Sequence, residues 1–194
     1  GDVLETPFKP KVTDIGQRHP VTANLPQAGG PDKEPDWGRW FRLVTSRTER
    51  GNAVLSGAED RPLVILDRVG EGRVAQLMSD HLWLWNRGID GGGPQPELVR
   101  RVAHWLMKEP DLEEEALRLA SDGRTLTIAR HTLADTATSV TVTDPTGRER
   151  EIDLAAAEPG PWRGGLPADV QGLWRASDGK LTARERIQMM STKA

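Results

Sequence analysis

No apolar run in this chain is long. Stretches rich in Val, Leu and Ile, such as residues 63–66, stop within a few positions at glycine, proline or a charged residue, and 20 Gly and 14 Pro are spread over 194 residues. That punctuation suits short strands and short helices joined by turns. It falls far short of the roughly 20 consecutive apolar residues that cross a bilayer as a helix, so direct membrane insertion is not expected. At about 100 to 200 residues per domain, the length allows one domain or two small ones. The chain starts at Gly1 with no charged-then-apolar leader, and is expected to be a segment of a larger protein.

Composition removes several chemistries. With no Cys there is no disulfide framework, no Cys-ligated zinc and no cysteine nucleophile. The 26 Lys plus Arg are outnumbered by 29 Asp plus Glu, a formal charge of −3, which leaves no basic excess for a phosphate backbone. Nucleic acid is therefore not an expected partner.

Residues 1–36 carry Pro7, Pro10, Pro20, Pro26, Pro31 and Pro35 with Gly29 and Gly30, a density that predicts an extended lead-in. Residues 40–45, 53–56, 62–69 and 73–79 read as strands. Val69-Gly70-Glu71-Gly72-Arg73 has hairpin length, so the last two should pair antiparallel. Ser79-Asp80 can cap a helix over 81–87, with Gly88 to stop it. A stronger helix runs over 94–108, where Leu98, Val102, Trp105 and Leu106 recur at spacings of three and four, Glu97 can pair with Arg101, and Pro110 follows. Strands with helices against them imply a layered α/β domain over 37–118. Residues 111–115 read as a charged linker or short helix. From Thr125 the pattern has period two, and Asp144-Pro145-Thr146-Gly147 is a turn signal. About six short strands over 119–194 fit a small all-β, Ig-like sandwich.

Candidate chemistry is sparse. Ser79-Asp80-His81 has the letters of a hydrolase triad, but a working triad draws its members from separated positions, and no Gly-x-Ser-x-Gly elbow is present. Asp80 and His81 remain weak acid/base candidates at the end of a strand, where α/β folds place their sites. Gly91, Gly92 and Gly93 open the long helix and are weak candidates for holding an anion, although the phosphate-loop Lys is missing. The four His residues, 19, 81, 104 and 131, lack metal-ligand spacing, and Asp67, Asp80 and Asp90 are far apart, so neither a metal nor another cofactor is expected. Trp83 and Trp85 diverge by about 200° on a helix, so only one can point fully inward, and they are candidates for an interaction surface. Core packing is expected for Trp105, Trp162 and Trp174.

The run from Val69 through Ser79-Asp80-His81-Leu82-Trp83-Leu84-Trp85, the Gly91-Gly92-Gly93-Pro94 loop and Val102-Ala103-His104-Trp105-Leu106-Met107-Lys108-Glu109-Pro110 resemble class I glutamine amidotransferase-like domains of bacterial membrane-anchored proteins. His19-Pro20-Val21-Thr22 and Trp37-Gly38-Arg39-Trp40-Phe41 look like the preceding part of the same domain, and residues 173–179 like the β-rich segment after it. The resemblance implies the later part of a flavodoxin-like three-layer sandwich. It carries no catalytic role here: the family's Cys is absent, and the only His-Pro is followed by Val21 instead of Glu. What it implies is a soluble, non-catalytic module for protein contacts in a bacterial envelope assembly, with other parts of the parent chain, a partner protein or a second copy covering its open surfaces. The side of the membrane is left open.

Overall fold

The computed structural model describes residues 2–30, 32–136, 139–157 and 160–188, so Gly1 and Pro31 of the expected lead-in lie outside the described residues. In chain order come β1 (Val3–Leu4), β2 (Lys11–Val12), α1 (Asp14–Arg18), β3 (Leu43–Val44), β4 (Asn52–Ser56), β5 (Pro62–Val69), β6 (Gly72–Leu77), α2 (Leu82–Asn86) and α3 (Gln95–Leu106). Only Gly70 and Glu71 separate β5 from β6, and residues 57–61 separate β4 from β5. A parallel pair needs a crossover of a dozen or more residues, so these neighbours can only run antiparallel. The sheet order is β2-β4-β5-β6 with every pairing antiparallel, and β1 pairs antiparallel with β3.

This overturns the expected flavodoxin-like α/β sandwich. Among the described residues all four sheets are antiparallel and strand outweighs helix, with three short α-helices. The hairpin at 69–73 is present as its length requires, and a hairpin-linked sheet cannot be the parallel centre of a three-layer fold.

The stretch 1–36 is more than an extended lead-in. Thr13 caps α1, its Oγ1 accepting from Gly16 N at 3.0 Å. Gly16 lets α1 approach the sheet closely, because a Cβ there would lie 2.1 Å from the Val54 carbonyl oxygen. Phe8, Val21 and Leu25 enter the same buried cluster as Leu55, Leu63 and Leu66. Helix α3 adds Leu98 and Trp105 to that cluster. Its first turn is tied down by Glu97, which accepts from Arg100 and from Arg101, while Arg101 Nη1 donates to Ala23 O at 2.6 Å.

The chain folds as two compact units, Gly1–Glu113 and Glu114–Ala194. The second holds β7 (Ala116–Ser121), β8 (Thr125–His131), β9 (Ser139–Thr143), β10 (Glu149–Asp153), β11 (Ala155–Ala156), β12 (Trp162–Pro167), β13 (Gly172–Ser177) and β14 (Thr182–Ile187). They form two antiparallel sheets, β11-β12-β8-β7 and β10-β9-β13-β14. Leu126, Ile128 and Leu166 from the first and Val140, Val142, Trp174 and Ala176 from the second make one buried cluster, so this unit is a β-sandwich. Only the buried Leu154 separates β10 from β11, and there the chain passes from one sheet to the other. Asp144 builds the β9–β10 turn by accepting from Thr146 N, Thr146 Oγ1 and Arg148 N.

Candidate functional site

The sequence candidates lie on the connection from β6 through α2 to α3. Ser79 is buried just past β6, and its Oγ donates to Arg42 O at 2.6 Å while accepting from His81 N at 3.1 Å. The hydroxyl proton therefore points at a carbonyl and not at an imidazole. Ser79 holds the turn that precedes α2; the N-cap position itself is His81, one residue after Asp80, and it makes no side-chain cap, so the expected Ser79-Asp80 cap is not formed.

His81 Nδ1 accepts from Phe41 N at 3.1 Å, which leaves Nε2 as the nitrogen that carries the ring proton. The nearest Asp80 oxygen is 3.8 Å from Nε2, beyond hydrogen-bond reach. Asp80 instead faces Arg42 at 3.4 Å, and Arg42 also reaches Glu5 at 3.3 Å. The structure thus brings Ser79, Asp80 and His81 together without aligning them as nucleophile, base and orienter. Arg42 and the Phe41 amide were not expected as their partners. Their only signal in the sequence is proximity to Trp40, whose ring is buried; the expected strand over 40–45 is present only as β3, Leu43–Val44.

The two tryptophans separate as helix geometry requires. Trp85 is buried, its Nε1 donates to Gly38 O at 2.9 Å, and its ring lies 5.1 Å from Trp37 and 4.9 Å from Trp40. It is therefore a core residue and not part of a surface. Trp83 is 51% exposed.

Gly92 and Gly93 pack against the fold, while Gly91 is exposed. Gly91 N donates to Gly88 O and Gly92 N to Ile89 O, while Gly92 O accepts from Gly38 N at 2.7 Å. A Cβ on Gly93 would lie 2.4 Å from the Trp85 ring, and one on Gly38 would lie 2.3 Å from Ile89 O. Pro94 and Pro96 bring no N–H to the start of α3, and Glu97 adds a carboxylate there. A helix start built this way offers an anion few donors and one like charge. Asp90, in the same loop, is held by Arg39 through its Nε at 2.7 Å, and these bonds keep the Asp90 carboxyl below its ordinary range.

Asp67, Asp80 and Asp90 do not converge: each faces its own arginine, Arg50, Arg42 and Arg39. Among the described residues no group of three or more metal-ligating side chains comes together. Among the same residues no helix is long and apolar enough to cross a membrane. No protein-family model matches the chain, and no curated protein matches it.

Proposed function

We propose that this chain is a non-catalytic module that works through protein–protein contacts, with Trp83 as an anchor in the first unit. The observation that carries the proposal is the exposure of Trp83, which is 51% exposed whereas Trp37, Trp40, Trp85, Trp105 and Trp174 are buried and Trp162 is partly buried. A large aromatic left in water forgoes about 2 to 3 kcal/mol of burial, and tryptophan is enriched among the few residues that dominate interface energetics. The bonds made by Ser79 and His81 support a structural use of those groups, since both are directed at backbone. The resemblance of residues 69–85 and 102–110 to amidotransferase-like proteins supports placing the module in a bacterial membrane-anchored parent. The occupant of the Trp83 surface is then an apolar patch on another part of that parent or on a protein bound to it.

Site-specific photo-cross-linking tests this. A photoreactive aromatic residue at position 83 in the parent protein should give one discrete cross-linked product, and the same residue at exposed Gln76 should not. Equal, diffuse labelling from both positions would remove Trp83 as an anchor. Ammonia release from glutamine by the purified chain, above a heat-inactivated control, would overturn the non-catalytic half.

A further inference from the structure

The outer face of the sheet β10-β9-β13-β14 separates its charges by strand. Strand register places Glu149, Glu151 and Asp153 of β10 opposite Thr143, Thr141 and Ser139 of β9. Across the sheet, Arg175 of β13 lies opposite Thr143 on one side and Arg184 of β14 on the other, with Leu173 opposite Arg186. The alternate residues Val140, Val142, Trp174 and Ala176 are buried, so the charged set points outward, and all six charged residues are exposed. The face thus carries a column of three carboxylates at one edge, a neutral Ser/Thr column, and three guanidinia on the far two strands.

The two clusters are not paired with one another within the sheet. At about 4.8 Å between strands, the β10 column is about 10 Å from Arg175 and about 14 Å from Arg184 and Arg186. Both distances exceed the screening length of about 8 Å at physiological ionic strength. Among the described residues no ion pair involves any of the six; the one side-chain bond in the set runs from Ser139 Oγ to Glu151 at 2.7 Å. Arg175 directly opposite Arg184 is a like-charge cross-strand pair, which works against the sheet that carries it.

We propose that this face pairs with a second copy of itself. A two-fold axis lying in the interface and passing between the clusters lays the carboxylates of one copy over the guanidinia of the other, and the reverse, in a single isologous contact. Three charges of each sign balance the contact, Glu149 shares a row with Arg175 and Arg184, and Ser139, Thr141, Thr143 and Ser177 leave an uncharged middle over which the sheets can approach. A purely acidic partner satisfies only the arginines and sets its own charge against the β10 column. The patch is about 20 by 17 Å from strand spacing and rise, smaller than the roughly 800 Å² per partner of stable complexes, so the association is weak and salt-dependent. The proposal stands on the second unit and does not depend on Trp83.

Sedimentation of the full chain tests it. At low salt the apparent mass should rise toward twice the monomer between about 10 µM and 1 mM, and fall back to the monomer in about 0.5 M salt. One variant carries R175E, R184E and R186E, and a second carries E149K, E151K and D153K. Each alone should stay monomeric with an unchanged circular dichroism spectrum, while their equimolar mixture should form the heterodimer at low salt. A wild-type chain still monomeric at 1 mM in low salt overturns the proposal, as do variants that self-associate like wild type, or a folded mixture that fails to pair. A monomeric chain that binds heparin and loses that binding with the triple arginine reversal would assign the face to an anionic partner instead, which also overturns it.

Discussion

The Arg130 guanidinium donates to the Asp178 carboxylate at 2.7 Å, with 8% and 4% of the two side chains exposed. Asp178 also accepts from Lys180 N and Leu181 N, and Arg130 reaches Glu115 at 2.8 Å. Burial pushes the Asp178 carboxyl up, but the Leu181 and Lys180 amides together with Arg130 hold it below its ordinary range. Neutralising Asp178 takes away the drier of the two carboxylates on Arg130 but leaves Glu115 and the His131 carbonyl on the guanidinium. Asp178→Asn keeps an acceptor for the turn and deletes only the charge, so it should lower stability by about 2 kcal/mol in a denaturant titration. A loss under about 1 kcal/mol would mean that the pair behaves like a surface one.

Gly93 and Gly91 separate a packing role for the glycine loop from a ligand role. A methyl group on Gly93 collides with the Trp85 ring at 2.4 Å, whereas one on Gly91 meets nothing within 4 Å and suffers only from its φ of 95°. Gly93→Ala should cost about 3 kcal/mol and alter tryptophan fluorescence, and Gly91→Ala about 1 kcal/mol without a spectral change. Equal costs would show that the Trp85 contact does not set the loop.

What could be read in advance was what depends on local pattern. The hairpin at 69–73, the helix over 94–108 and the alternation from Leu126 follow from spacing and turn residues, and the structure has β5–β6, α3 and β8 there. Strands followed by helices suggest a layered α/β domain and the resemblance implies a parallel sheet, but the connections at 57–61 and 70–71 are too short for anything except antiparallel neighbours. Proline and glycine density in 1–36 predicts an extended lead-in, but β1, β2 and α1 form there, and density says nothing about burial: Val21 and His19 are fully buried. Strand β7 went unread because Ala116, Leu117 and Arg118 favour helix in isolation; pairing along β8 makes them a strand. Strand β14 begins only at Thr182, because Asp178 takes up the Lys180 and Leu181 amides in the turn before it. At the candidate site, periodicity showed that Trp83 and Trp85 must diverge. Which one turns inward depends on the Gly38 carbonyl and the gap over Gly93, contacts that only the tertiary fold supplies.

Lys108 ends α3 at a backbone conformation that suits glycine. Its φ is 62°, Glu109 N donates to His104 O and Lys108 N to Trp105 O, both at 3.0 Å, which together form a Schellman motif with Lys at the left-handed position. Lys108→Gly should raise stability by about 1 kcal/mol, read as a higher midpoint in thermal unfolding. Lys108→Ala, which keeps the Cβ, should not reproduce the gain.

Glu97 gives the first unit a specific acid sensitivity. Hydrogen bonds from Arg100 and then Arg101 lower its carboxyl from an ordinary 4.5 to about 2. A carboxylate depressed by folding contributes stability that is fully present above its unfolded value, and this stability is lost as pH falls through the folded one. The Glu97 contribution should therefore be constant from pH 7 to about 5 and should decay between about 4.5 and about 2. Glu97→Gln should be less stable than wild type at pH 7 by about 1 kcal/mol, since it loosens Arg101 from its place beside the Ala23 carbonyl. Thermal melts of the two proteins should converge as the pH approaches 2. A difference that stays constant down to that pH would show that Glu97 acts through packing and not through its charge.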